Sequence, residues 1–260
     1  MNTKEIILQF RDRADAVYVN SLQRTYFRVF GHPIDQRFAI VGNARTGSNY
    51  LLDGLRTSPS VRMYHEIFAD HNRQVGKDFD KISSIVFQSE SKSTKIVGFK
   101  VFYNHLTDDE WKRLLAWRDL KIVHLTRRNR LRTVISLEIA FKTGQWTQSG
   151  KGKSGEFKEK RLRLDSSKLL KRIEQIEENE AKARTRFRGR EILEVVYEEL
   201  VRSPKAIFES VGTYLGVDGI DFSKIKLRRQ NPETLHQLLI NYDEITATLR
   251  NTRFAEYLDD

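Results

Sequence analysis

The sequence predicts an α/β fold, a central parallel sheet flanked by helices on both faces. Two observations predict it. Short runs rich in Ile, Val and Phe alternate along the chain with longer segments whose apolar residues recur at helical spacing, the pattern of strands joined by crossover helices. The first of these runs, Arg37–Gly42 (RFAIVG), passes through a glycine-bracketed loop straight into a helical stretch.

The elements follow in order. Residues 3–29 place Ile6, Phe10, Ala14, Val17, Leu22 and Phe27 at loosely helical spacing, so residues 1–35 read as a helical attachment and 36–260 as one α/β domain. After the first strand, Gly47 to about Arg56 sets Tyr50, Leu51 and Leu55 on one helical stripe, ended by Ser58–Pro59. Val61–Tyr64 reads as a short strand followed by a polar loop. Lys95–Tyr103 (KIVGFKVFY), Leu120–Thr126 (LKIVHLT) and Glu191–Tyr197 (EILEVVY) are further strands. Helices are predicted over Asp108–Arg118, Arg130–Lys142, Ser166–Phe187 and Pro204–Leu215, the last with Pro204 in its first turn and Gly216 as its C-terminal cap. Residues 144–163 break the periodicity with four glycines and a basic run, and read as a loop. A helical pattern returns from Glu233 to Arg250.

Composition narrows the function classes. The 260 residues suffice for one sizeable core. No apolar run approaches the roughly 18 residues that cross a bilayer, and the N-terminus opens on charged residues, so the chain is expected to be soluble, unexported and cytoplasmic. The absence of cysteine excludes disulfides, thiolate metal sites and a cysteine nucleophile. The six histidines are scattered, with no metal-binding pair at helical spacing, and no metal is expected. Of the net charge of +11, residues 121–163 hold twelve Lys or Arg against three Glu. Such a cluster attracts nucleic acid, an anionic membrane surface or a small ligand with several phosphates.

The segment GNARTGSNYLL spaces Gly42 and Gly47 five apart between strand and helix, the spacing of a P-loop, and makes the fold a P-loop-type three-layer one. Backbone N–H groups of such a loop and the helix N-terminus point at a bound anion. The nucleotide-hydrolysing form continues Gly-Lys-Ser/Thr, with the lysine on the phosphates and the hydroxyl on Mg²⁺. Here Ser48 and Asn49 stand in those places, and the cation, Arg45, lies inside the loop. An anion nest without its magnesium-holding pair suits an anion transferred without metal.

These residues resemble those of the 3'-phosphoadenosine 5'-phosphosulfate (PAPS)-dependent sulfotransferases. Arg45, Thr46, Gly47 and Ser48 fill that family's 5'-phosphosulfate loop, with Asn49 following. In KIVHLTRRNRLRTVISLE, Arg128 and Ser136 stand eight apart across a strand-to-helix junction, as in the family's 3'-phosphate signature. VVYEELVRSPKAIFESVGTYLGV resembles a late strand-to-helix segment of the family. YHEIF, FKVFYNH, HLTRRN and NYDEITATL are similar to the bacterial carbohydrate sulfotransferases related to the nodulation-factor enzyme. The resemblance implies PAPS as donor, 3',5'-adenosine bisphosphate (PAP) as product, no metal, and a sugar or glycolipid hydroxyl as acceptor.

It also implies a base that takes the acceptor's proton. Glu66 stands where several relatives carry a catalytic glutamate, with His65 beside it. The small-molecule branch instead uses a histidine near where Lys100 and His105 stand, so Glu66, His65 and His105 are all candidates. Lys100, in an otherwise apolar strand, must reach an anion or the sheet edge, and is a candidate for the sulfuryl oxygens. Trp146, beside the basic loop, could face an entering acceptor. The competing readings are a nucleotide-binding protein or kinase of the same fold without sulfuryl transfer, and a nucleic-acid module using the 121–163 charge. No helix-turn-helix, RNP or zinc signature supports the module, so no nucleic-acid partner is expected. Homo-oligomerisation is open.

Overall fold

The computed structural model describes residues 29–34, 36–73, 78–87, 89–146, 160–227 and 229–259. Nearly all of the helical attachment expected over residues 1–35, and residues 147–159 of the expected basic loop, lie outside the described residues.

The elements in chain order are β1 (His32–Pro33), β2 (Arg37–Gly42), α1 (Ser48–Leu55), β3 (Val61–Tyr64), α2 (Phe79–Val86), β4 (Ser89–Glu90), β5 (Ile96–Phe102), α3 (Asp108–Leu115), β6 (Leu120–Thr126), α4 (Arg130–Thr143), α5 (Ser166–Arg186), β7 (Ile192–Val196), α6 (Tyr197–Arg202), α7 (Pro204–Leu215), α8 (Leu235–Leu238) and α9 (Tyr242–Arg250). Five of the strands form one parallel sheet in the order β3-β5-β2-β6-β7, while β1 and β4 pair as a separate two-residue antiparallel ribbon. From β2 the chain runs to one edge, returns to β5, then crosses β2 to build the other half. The central position of β2, between β5 and β6, is therefore a topological switch point.

The two-residue period of β2 decides which core each side chain joins. Phe38 and Ile40 pack on α1 and α7, with Leu51, Leu52, Leu55, Phe208 and Val211. Ala39 and Val41 face α2 and α3, with Phe79, Ile82, Trp111 and Leu114. A third cluster, remote from the sheet, joins α4, α5, α8 and α9 through Leu131, Ile135, Leu169, Ile173, Leu235 and Ile245. Helix ends follow local chemistry. Thr107 and Glu110 close a capping box on α3, and α7 begins on Pro204 and ends on a left-handed Gly216, as expected.

The β1–β4 ribbon and the short helix α6 have no counterpart in the sequence expectation, and two further stretches differ from it. The polar loop expected after β3 contains α2, whose Phe79, Ile82 and Val86 fit one helical stripe and whose Asp78 caps Lys81 N. Eight residues are too few for the period to stand out. The continuous helix expected over Glu233–Arg250 is broken between α8 and α9. Leu239 leaves the helix to bridge Leu162, and buried Asn241 accepts from Leu164 N (3.1 Å) and donates to Leu164 O (2.9 Å). Those tertiary hydrogen bonds replace helical ones and keep the period on both sides of the break.

Candidate active site

All five strands run the same way, so the segments following their carboxyl ends meet at one edge of the sheet. Asn43–Gly47 follows β2, His65–Glu66 follows β3, Tyr103–His105 follows β5, Arg127–Asn129 follows β6, and Tyr197 follows β7. Ligands of open α/β sheets bind at this edge, beside the switch point.

The loop after β2 is shaped by two left-handed residues. Gly47 has φ +87° and Arg45 φ +68°, the latter the sole positive-φ residue other than glycine among the described residues. Thr46 Oγ1 donates to Asn43 O (2.8 Å) and ties the loop across its base. The glycines are required by close approach: a β-carbon on Gly42 would stand 2.3 Å from Leu125 O, and one on Gly47 2.6 Å from Tyr197 Cδ2. Beyond Gly47 the first turn of α1 leaves its backbone N–H groups directed at the loop.

A cleft of about 230 Å³ opens over this loop, lined among others by Arg45, Ser48, Asn49, Arg127, Ser136 and Tyr197. Arg45 crosses it. Its Nε donates to Ser136 Oγ (2.9 Å), its Nη1 to Trp146 O (2.8 Å), and its Nη2 to Gln230 Oε1. Burial lowers the Arg45 pKa from its ordinary value. Ser136 also accepts from Asn231 Nδ2 (3.0 Å). The serine of the expected second signature and the arginine of the first are thus in direct contact, 91 residues apart in sequence.

Arg128 is placed differently. Its side chain is 60% exposed and paired with Glu199, and it is not among the cleft-lining residues. Arg127 and Arg132 line the cleft and are buried, and the exposed Arg229 lines it too. Trp146 also lines the cleft, edge-on to the exposed Phe141 with ring centroids 5.2 Å apart.

A second cluster adjoins the cleft through Asn49. Lys100, 2% exposed, stands in register with Ile40 on the face of the sheet that α1 covers. Its Nζ lies 2.8 Å from Glu66 Oε1 and donates to Asn49 Oδ1 (2.5 Å). The expected anion for this buried lysine is therefore supplied within the chain by Glu66, whose side chain is 21% exposed and reachable. His105 accepts the Phe102 N–H at Nδ1 (3.1 Å), which puts its proton on Nε2 in the neutral ring. That Nε2 stands 3.9 Å from Glu66 Oε2. Beneath the cluster Arg73 braces the wall: it pairs with Glu110 (2.6 Å) and donates to His105 O (2.9 Å) and Phe68 O (2.8 Å). This bonding to Arg73, opposed by burial, holds the Glu110 carboxyl below its ordinary range.

Of the residues selected from sequence, Arg45, Gly47, Ser48, Asn49 and Ser136 line one cleft, and Glu66, Lys100 and His105 gather beside it. Thr46 is buried and braces the loop. Sequence reasoning passed over Arg127, Arg132, Tyr197 and the Arg229–Asn231 segment. Tyr197 lay in a quoted strand-to-helix segment, but only packing reveals its ring beneath Gly47. The last segment has no period to mark it. Among the described residues, no cluster of three His, Asp or Glu could hold a metal ion, and no helix is long and apolar enough to cross a membrane.

An open parallel sheet with a glycine loop at its switch point, a helix N-terminus behind it and buried arginines around it defines a P-loop-type α/β protein with a cationic cleft at the carboxyl edge of its sheet. The family model described as Stf0 sulphotransferase matches residues 16–243, and the chain belongs to that family. It is a sulfotransferase. It is 25% identical over 244 residues to nodulation protein H of Rhizobium tropici, covering 88% of this chain and 96% of that protein. It is 24% identical over 235 residues to nodulation protein H of Rhizobium meliloti, covering 85% and 94%. Among solved structures, the sulfotransferase of Alicyclobacillus acidocaldarius is similar with a TM-score of 0.45 at 17% identity, over 86% of this chain and 94% of that one.

Proposed function

We propose that the chain transfers the sulfuryl group of PAPS to a hydroxyl of a carbohydrate or glycolipid, by in-line displacement without metal. The observation that carries this reading is the contact of Arg45 with Ser136, which joins the glycine loop to α4 across a cleft lined by further arginines. A donor nucleotide with anionic groups at both its 5' and 3' positions matches charge distributed in this way, and guanidinium groups suit such oxyanions by geometry as well as charge. Ser48 and Asn49 in place of the Lys-Ser/Thr pair support transfer without Mg²⁺. The resemblance of YHEIF and NYDEITATL to bacterial carbohydrate enzymes supports a sugar hydroxyl as acceptor.

In this reading the acceptor oxygen attacks sulfur as Glu66 takes its proton, and the bond from sulfur to the bridging oxygen breaks, leaving PAP. Glu66 is favoured over His105 because the neutral His105 ring already carries its proton on Nε2, the nitrogen facing Glu66. Lys100, held by Glu66 and Asn49, places a buried positive charge beside the base and the first turn of α1, where negative charge develops. The test is incubation with labelled PAPS and a panel of sugar, glycolipid and phenolic acceptors, alongside titration with PAP, AMP and MgATP. Sulfation of a sugar hydroxyl and preference for PAP are expected. Preference for MgATP would replace this reading with a kinase.

A further inference from the structure

We propose that Asp53 of α1 accepts a hydrogen bond from an acceptor hydroxyl next to the one that is sulfated, which makes the acceptor a polyol such as a sugar and not a simple alcohol or phenol. The inference rests on the sulfuryl-transfer reading above and names a residue that fixes the class of acceptor.

Its place follows from the helix. Asn49, Asp53 and Arg56 stand four and then three residues apart along α1 and its C-cap, so they share one stripe. Both ends of that stripe are fastened to the sheet. Asn49 Oδ1 accepts from Lys100 Nζ (2.5 Å), and Arg56 donates to Met63 O from Nη2 (3.0 Å) and Nε (3.3 Å). Asp53 therefore stands between Lys100 of β5 and Met63 of β3, beside the point where β3 gives way to His65 and Glu66. Lys100 N donates to His65 O (3.3 Å), which sets the lysine level with the start of that segment. β3 is the edge strand of the five, so no further strand of the sheet closes this position from outside.

The carboxylate itself is unsatisfied. Among the described residues it makes no hydrogen bond and no ion pair, and Arg56 and Lys100 act on it only through space. It is half-buried, and burial raises its pKa from the ordinary value against the pull of those two cations. A carboxylate that gives up water without gaining donors costs stability, and an uncompensated cost of this kind beside a reactive cluster points to donors brought by a ligand. The donors are not those of the nucleotide. Asn49 and Tyr50 line the cleft that holds Arg45 and Ser136, whereas Asp53 does not, and its charge would repel an anionic nucleotide. They belong to the other substrate, which beside Glu66 brings the reacting hydroxyl and the groups next to it. A sugar carries hydroxyls on adjacent carbons, one for Glu66 and one for Asp53. A phenol carries one, spent on Glu66, and leaves Asp53 desolvated and unpaired, which is how a site rejects an analogue that lacks a hydroxyl.

The experiment uses the full chain and its Asp53→Ala and Asp53→Asn forms with labelled PAPS. The acceptors are a set of methyl hexosides, the monodeoxy derivatives of the best of them, and p-nitrophenol, with melting curves and PAP titration alongside the rates. Both variants are expected to melt no lower than the unaltered protein and to bind PAP unchanged, while Asp53→Ala loses roughly 10–100-fold in kcat/KM for the hexoside. Asp53→Asn, which keeps one acceptor oxygen, should lose less. The unaltered protein should disfavour one monodeoxy hexoside by a similar factor, and Asp53→Ala should treat that derivative and its parent alike. Discrimination that survives in Asp53→Ala, or a lowered Tm with equal losses for every acceptor, would overturn the inference while leaving sulfuryl transfer to sugars in place. If the unaltered protein sulfates no hexoside, the sugar reading itself fails, and this inference with it.

Discussion

Replacing Gly47 by alanine separates two demands that the glycine loop makes on the chain. The first is conformational: at φ +87° an L-residue pays about 1–2 kcal/mol. The second is steric. The new β-carbon would stand 2.6 Å from Tyr197 Cδ2 and 3.1 Å from Cε2, so the ring must shift. That ring lies under the Arg127 guanidinium at 4.5 Å, a contact worth about 0.5–2 kcal/mol. Together these give roughly 1.5–4 kcal/mol, which for a chain of this size lowers Tm by about 3–16 °C. Gly216→Ala is the internal reference, since Gly216 has φ +73° and a β-carbon there meets nothing within 4 Å. It should show the conformational part alone, about 1–2 kcal/mol. Differential scanning calorimetry gives both losses, and PAP titration shows whether moving Tyr197 disturbs the anion site. If Gly47→Ala melted no lower than Gly216→Ala and bound PAP unchanged, the packing of Tyr197 against the loop would not be what shapes that site.

Glu66→Gln should lower kcat by roughly 10²–10⁴-fold, the usual reach of general-base assistance, with PAP affinity nearly unchanged; a larger loss in His105→Ala than in Glu66→Gln, read from steady-state rates, would transfer the role to the histidine. Sulfuryl transfer should persist in excess EDTA, and a rate restored only by Mg²⁺ would contradict the metal-free reading. Because Glu110 titrates below its ordinary value in the folded protein, its contribution to stability is complete above the unfolded pKa near 4.5 and is lost as pH falls through the lower folded value. Glu110→Gln should therefore melt lower than the unaltered protein at pH 7, by roughly 1–3 kcal/mol for the Arg73 donors left without a carboxylate, and the gap should narrow in acid.

The strand-and-helix order was legible because burial imposes a period. RFAIVG and KIVGFKVFY carry too little polarity to be anything but inner strands, and Pro204 and Gly216 state where a helix begins and ends. The glycine loop was legible for a related reason. At Gly42 and Gly47 the backbone comes so close to Leu125 and Tyr197 that a side chain is excluded, and such a demand leaves its mark in the sequence. α2 was missed because eight residues hardly establish a period, and the break at Leu239–Asn241 because the residues that cause it, Leu162 and Leu164, lie far away in the chain.

The sequence by itself determined the class of fold, the glycine loop with its arginine, and the set of residues, Glu66, Lys100, His105 and Ser136, from which the candidate site is drawn. Only the tertiary structure decided how they are used: that Arg45 reaches Ser136, that Lys100 is held by Glu66 and Asn49, and that Arg127 turns into the cleft while Arg128 turns to Glu199. The reason is physical. Backbone conformation and burial depend on neighbours along the chain, which spacing records, whereas the direction of a long charged side chain is set by which partner lies across space and by how much water each rotamer gives up. Two adjacent arginines in RRN look the same until the fold buries one of them and exposes the other.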